Sequence, residues 1–247
     1  MEVVIKAKLL KSVLKALNPF VNEARFRFGE DGLSVRVVDQ ANICMCIIEI
    51  PSSSFESYDL PLGATGPGAE NVYGIDVPRL FDFSKMLKND DTVSIDSRDG
   101  EFILESGKLE YALSLIDPSA IRKEPKEPNL NLPVEVELNL KEFSNFIKAA
   151  NKLTEHISLE TNKKFLAIAE GDLEKLVYDP GIEVGSKARS LFSLEYVAEF
   201  VKVGGDIVTI DLGTNYPGKF TFFLDEDDGS GDAYVTYILA PRIEAEG

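Results

Sequence analysis

DTVSIDS, residues 91–97, returns as DIVTIDL, residues 206–212. Both copies read D-x-V-[ST]-I-D and lie 115 residues apart. Val and Ile alternate with Ser, Thr and Asp, the period-two pattern of a strand with one buried and one wet face. Each copy follows a segment of helical period, VPRLFDFSKMLK at 77–88 and SLEYVAEFVK at 193–202. Upstream, LLKSVLKAL (9–17) resembles EFSNFIKAA (142–150), with Lys15-Ala16 falling on Lys148-Ala149. Strand-like runs follow in both places: ARFRF (24–28) and LSVRVVD (33–39), then HISLE (156–160) and FLAIAE (165–170). A period this long marks duplication of a whole domain rather than a solenoid.

Between the copies lies IDPSAIRKEPKEPNLNLP, 116–133. Its prolines, Pro118, Pro125, Pro128 and Pro133, remove amide donors and fix φ, so the segment is expected to run extended outside any sheet interior. The sequence thus predicts an α+β fold of two similar domains, 1–117 and 134–247, joined by a connecting loop, 118–133. The 247 residues are enough for two such domains, each with its own core.

The N-terminal MEVVIKAKLL lacks the basic-then-apolar design of a signal peptide, and no apolar run approaches a membrane span of about 20 residues. The expectation is an intracellular protein with no membrane contact. Cys44 and Cys46 share one face of a strand, poor geometry for a mutual disulfide, and His156 is the only histidine. Buried thiols and no metal site are expected.

The formal net charge is −16, which by itself argues against nucleic acid. Where the charges sit matters more than their sum. At about 100° per residue, Lys8, Lys11 and Lys15 fall within one arc, opposite Leu10, Val13, Leu14 and Leu17. The repeated helix places Lys141, Lys148 and Lys152 on one arc, against Phe143, Phe146, Ile147, Ala150 and Leu153. Lys85 and Lys88 stand one turn apart, away from Leu80, Phe83 and Leu87. The fourth helix departs from this, its polar arc holding Glu195, Glu199 and Lys202. A single such helix is most simply a solvated face, since lysine is a good helix former. Three matched helices in a duplicated chain instead suggest one cationic surface, able to neutralise phosphates without reading bases.

No Walker loop, GxSxG or HExxH is present, and one histidine leaves little room for imidazole chemistry. DEDDGSGD (225–232) has calcium-loop composition, but Gly229 comes one position too early for an EF-hand and no Glu closes it, so it reads as a solvated hairpin loop. An acidic β-rich hydrolase is the competing reading from another class. It requires carboxylates converging in a deep pocket, and the absence of Trp removes the usual sugar-stacking residue.

Over essentially its whole length the chain resembles the archaeal and eukaryotic sliding clamps, the proliferating cell nuclear antigen family. The resemblance is carried by LLKSVLKALNPFVNEA and DGLSVRVVDQAN near the start and SKMLK at 84–88. It continues through LIDPSAIRKEP in the connector, LGTNYP at 212–217 and YILAPRIE at 237–244. It implies a closed homotrimeric ring of six similar domains, antiparallel sheets outside and two helices per domain inside, threaded by duplex DNA. Such a protein is a DNA polymerase processivity factor of replication and repair, associated with the nucleoid, with no catalysis and no cofactor. A subunit of a heterotrimeric or checkpoint-type clamp is the alternative within the same fold.

By this resemblance Lys11, Lys15, Lys85, Lys88, Lys148, Lys152 and Lys202 face the DNA, with Lys8 and Lys141 on the same arcs. The family's partners (polymerase, flap endonuclease and DNA ligase) dock through a short peptide motif with a glutamine and an aromatic pair, and a clamp loader places the ring on DNA. The corresponding groove here is Val38, Ile43, Met45, Pro217, Ile238, Ala240 and Pro241, roofed by Ile121 and Pro125. The subunit contact falls on KLEYALSLID (108–117) and DLEKLVYD (172–179), with Tyr111, Leu113 and Leu115 meeting Leu176 and Tyr178.

Overall fold

The computed structural model describes residues 2–60, 70–224 and 233–243. The acidic run 225–232 therefore lies outside the described residues. The chain forms two compact units. One gathers Met1–Gln40, Cys46–Pro125 and Leu224–Val235, the other Ala41–Met45, Lys126–Phe223 and Thr236–Gly247.

In the first unit β1 (Glu2–Lys6) leads directly into α1 (Ala7–Leu17). There follow β2 (Glu23–Gly29), β3 (Gly32–Val38), β4 (Cys44–Pro51), β5 (Ser57–Asp59) and β6 (Asn71–Asp76). α2 (Val77–Ser84), β7 (Thr92–Arg98), β8 (Glu101–Ser106) and β9 (Leu109–Ser114) complete it. One sheet runs β5-β1-β7-β8-β9, and β4-β3-β2-β6 lie side by side in another. The second unit repeats the plan with β10 (Val134–Asn139), α3 (Leu140–Ala150), β11 (His156–Glu170), β12 (Lys175–Tyr178), β13 (Glu183–Ser193) and α4 (Leu194–Phe200). It ends with β14 (Ile207–Leu212), β15 (Gly218–Phe223) and β16 (Tyr234–Leu239). Here β10-β14-β15-β16 are neighbours, and β12-β11-β13 form a three-stranded sheet.

The repeated D-x-V-[ST]-I-D strand does the same work in both units. β7 pairs antiparallel with β1, Lys6 opposite Thr92, and β14 pairs with β10, Asn139 opposite Ile207. The Asp that opens each copy lends its carbonyl to a helix start. Ala7 donates to Asp91 O at 2.8 Å, and Leu140 to Asp206 O at 2.8 Å. The other helix of each unit starts alike, Val77 donating to Asn22 O and Leu194 to Glu155 O, both at 2.9 Å. The first amide of a helix has no intrahelical acceptor, so these four bonds satisfy otherwise orphaned donors and fix where each helix begins. Side-chain caps add to this at Asp76 and Asn139, which accept from Arg79 N and Glu142 N.

The helices pack in pairs, α1 with α2 and α3 with α4. The apolar faces read from the sequence are the buried ones: Leu10, Val13, Leu14 and Leu17 on α1, Phe143, Phe146, Ile147 and Ala150 on α3. The second unit's core is dense in aromatics, with Phe200 stacked on Tyr237 at 4.0 Å and Phe192 edge-on to Phe220 at 5.6 Å. Cys44 and Cys46 are buried and not joined by a disulfide, as the strand geometry required.

Three boundaries differ from the sequence reading. α2 stops at Ser84 rather than 88: Ser84 Oγ bonds back to Phe81 O, and Met86 N and Leu87 N continue with i→i−3 bonds to Phe83 and Ser84. α4 stops at Phe200, where Lys202 N and Val203 N turn back to Glu199 and Phe200. Such tightened last turns satisfy terminal carbonyls locally, and helical periodicity does not register them. HISLE and FLAIAE are not two strands but one, β11, with a bulge between Thr161 and Lys163 where Lys163 takes φ 74°. No helix among the described residues is long and apolar enough to cross a membrane.

Candidate nucleic-acid interface and docking surface

The helix lysines stand on the solvent side of each helix pair but are not equivalent. Lys15, Lys88, Lys148 and Lys152 are exposed, and none has a carboxylate within ion-pairing distance among the described residues. Lys85 Nζ meets Asp82 Oδ1 at 2.6 Å and sits 4.4 Å from the Phe81 ring centroid. Lys202 meets Glu199 Oε1 at 2.5 Å. Both are exposed i,i+3 pairs, worth little to stability, yet each pair presents zero net charge. Lys11 is tied internally: its ammonium donates to Leu87 O and, at 3.1 Å, to Asn89 Oδ1. It holds the turn that follows α2, where Leu87 and Asn89 lie. Lys8 and Lys141 are exposed on the same arcs.

The residues assigned to a peptide groove distribute over both units. Val38, Ile121 and Pro125, in the first, line one cleft of about 360 Å³ between β2, β3 and the connector. Phe20, Val21 and Val37 add apolar wall, Arg36 and Arg122 polar edge. In the second unit Ala240 donates its amide to Ile43 O at 2.9 Å, next to Asn42 at φ 59°. Ile43 is 39% exposed, a suitable apolar contact, whereas Met45 and Ile238 are buried. Pro217 and Pro241 are half-buried.

Ile121 is buried because of a glycine. Gly74 bonds to the connector, accepting from Ile116 N at 2.9 Å, and a Cβ there would lie 2.2 Å from Ile116 O and 2.9 Å from Ile121 Cδ1. The connector thus rests directly on β6 with the Ile121 side chain pressed against bare backbone.

A set of charged residues that the sequence reading passed over holds this connector in place. Arg25 Nε donates to Pro118 O at 2.7 Å, Nη1 to Arg122 O at 3.3 Å, and Nη2 to Ile121 O. Arg25 also pairs with Glu124, and Arg27 donates to the same carboxylate from Nε at 3.1 Å and Nη2 at 2.5 Å. Arg27 Nη1 reaches Glu70 at 3.3 Å, and Arg122 donates to Asp39 O at 3.2 Å. Burial works to raise the Glu124 pKa, but its own amide and the two guanidinium groups outweigh it and hold it below the usual carboxylate value. The visible signal was ARFRF: two arginines two apart on a strand share a face and must meet something there. Their partner lies about a hundred residues away, beyond the reach of pattern.

The assigned subunit-contact strands are both end strands, β9 of its sheet and β12 of its own. Each carries a tyrosine over a helix phenylalanine. Tyr111 stacks on Phe83 at 4.5 Å, and Tyr178 lies 5.6 Å from Phe146 with its hydroxyl 3.3 Å from Glu142. Leu115 and Leu176 are half-buried. Leu113 offers no surface: opposite Phe102 on β8, it is 5% exposed and belongs to the unit's own core. The exposed apolar side chains on these edges are Leu109 and Val177, 50% and 46% exposed, which the sequence reading did not name. Among the described residues no cluster of His, Cys, Asp and Glu could hold a metal ion.

A duplicated α+β unit, its paired helices turning cations to solvent and its sheets ending in open edges, is the architecture of a DNA clamp. Residues 2–108 match the family model for the proliferating cell nuclear antigen N-terminal domain. Over 99% of both chains it is 41% identical to the DNA polymerase sliding clamp of Archaeoglobus fulgidus. To the DNA polymerase sliding clamp of Methanocella arvoryzae it is 39% identical over 98% of each. Among solved structures it matches the A. fulgidus clamp bound to the C-terminal region of FEN-1, with TM-score 0.90, 40% identity and 99% of both chains covered. The fold is shared with the clamp of Thermococcus kodakaraensis at TM-score 0.84 and 22% identity, covering 98% and 99% of the two chains. The chain belongs to the proliferating cell nuclear antigen family of sliding clamps.

Proposed function

We infer that this protein is a DNA polymerase processivity factor that holds its partners on DNA by encircling the duplex. Three copies join head to tail through β9 and β12 into a closed ring, with the four helices of each copy lining the hole. The observation that carries this reading is the repeated solvent face of α1 and α3: Lys15 and Lys148 are exposed and aligned by the duplication, each opposite a buried apolar stripe. Lysines on flexible stems neutralise phosphates without reading bases. Their contacts are weak and exchange rapidly, so retention comes from topology and sliding is permitted. The ring performs no chemistry of its own; polymerase, flap endonuclease and ligase dock peptide segments beside the connector, and a clamp loader opens the ring.

Loading onto circular and linear duplexes tests this. Protein retained on a nicked circle should be lost when the circle is cut. A protein held equally on both forms, or one that sediments as a monomer, would overturn the reading.

A further inference from the structure

Among the described residues the connector from Asp117 to Pro133 makes no β-bridge, the nearest being Gly74 to Ile116 just before it, and it is joined to its neighbours mainly through side chains. Between Pro118 and Glu124 the Arg25 guanidinium collects the carbonyls of residues 118, 121 and 122. Glu124 is the far end of that grip. Its side chain is 12% exposed and is met by Arg25 and Arg27, which stand on one face of β2. Past Pro125, residues 126–129 are all exposed and none of them lines the cleft. The gripped residues Ile121 to Pro125 are the same ones that roof the 360 Å³ cleft.

We propose that Arg25, Arg27 and Glu124 form a clasp that sets the height of the docking cleft and so the strength with which an aromatic docking peptide is held. This rests on the reading of the cleft as part of the partner groove. A groove built on an unpaired loop must otherwise be ordered by the peptide itself, and that cost is subtracted from affinity. The clasp orders the roof beforehand. Arg27 has a second carboxylate, Glu70, which keeps its guanidinium oriented when Glu124 leaves, so opening breaks the Glu124 contacts while the arginine stays in place. These three are positioning residues. Their charges are consumed by the connector, and the peptide meets the apolar wall of Val37 and Val38 and the underside of the roof.

The test uses the assembled wild-type protein and a labelled synthetic peptide carrying a glutamine and an aromatic pair, with binding read by fluorescence anisotropy. Amide exchange across 118–125 is read on the same samples without peptide. Glu124→Ala and Arg27→Ala should each weaken binding about tenfold, equivalent to about 1.4 kcal/mol. The double variant should be scarcely weaker than Glu124→Ala alone, because that substitution already removes the contact of Arg27 with Glu124. Glu124→Asp, which keeps the carboxylate on a shorter stem, should recover part of the loss, and exchange at 118–125 should rise in the same order. Val38→Asp is the control for the groove. If it abolishes binding while both clasp variants bind as wild type, the clasp is overturned and the groove stands. If Val38→Asp binds as wild type, groove and clasp fall together. Losses that add fully in the double variant would also overturn the clasp as a single device.

Discussion

At the scale of the residue, two positions carry the connector's geometry. Gly74 is one. A Cβ 2.2 Å from Ile116 O meets backbone, which cannot rotate away. Gly74→Ala should therefore cost about 1–3 kcal/mol, the usual range for forced overpacking. Thermal unfolding gives the loss, and faster exchange of the Ile116 amide locates it; unchanged protection at Ile116 would refute the close approach. Glu124 is the other. Its folded pKa is depressed, so its contribution is fully present above the unfolded carboxylate value of about 4.3 and is lost as pH falls through the lower folded value. Connector protection in wild type, measured against Glu124→Gln, should differ at neutral pH and converge as the medium is acidified below about pH 4. A difference that persists into strong acid would remove the charge from the explanation. Neither residue stood out in the sequence. A glycine's neighbours and a carboxylate's distant arginines are set by the folded path, whereas the Cys44 and Cys46 assignment needed only strand geometry.

At the scale of the element, the faces of the helices were legible and their ends were not. A 3.6-residue period places Leu10, Val13 and Leu14 inward whatever surrounds the helix, and that is where they lie. Where a helix stops depends on local carbonyl satisfaction, as at Ser84 and Phe200, and there periodicity overran. The same limit governs the lysines: their arc was readable, their company was not. Lys85 and Lys202 sit beside Asp82 and Glu199, so each presents a neutral pair to an approaching phosphate. Lys15, Lys88, Lys148 and Lys152 present uncompensated charge. Replacing these four by alanine should flatten the slope of log K against log salt for duplex binding, by at most about 0.9 per lysine. Replacing Lys85 and Lys202 should change it much less. Equal effects would mean that the ion pairs open freely to DNA. Lys11→Ala should leave the slope nearly untouched and instead destabilise the turn after α2 by about 0.5–1.5 kcal/mol, the usual net worth of a hydrogen bond, seen as lowered thermal stability.

At the scale of the whole molecule, the proposed assembly turns on two edges. Strand ends with unpaired backbone invite addition of another strand, and natural proteins blunt them with lysine or cover them. β9 and β12 instead expose Leu109 and Val177. The sequence indicated these strands but named one side chain, Leu113, that its own unit buries, because period two does not say which face meets the home sheet's helices. Joining β9 of one copy to β12 of the next is a heterologous contact, and such contacts either close into rings or run on as filaments. This gives a test that a symmetric face-to-face dimer would fail. Leu109→Lys blocks one edge and Val177→Lys the other, and each variant alone should be monomeric by sedimentation with unchanged circular dichroism. Mixed in equal amounts, they retain one intact pair, β12 of the first variant and β9 of the second. The mixture should form dimers and nothing larger, and those dimers should not persist on a nicked circle. Dimers from either variant alone would show that an edge pairs with its own kind, and rings from the mixture would show that closure does not run through these strands.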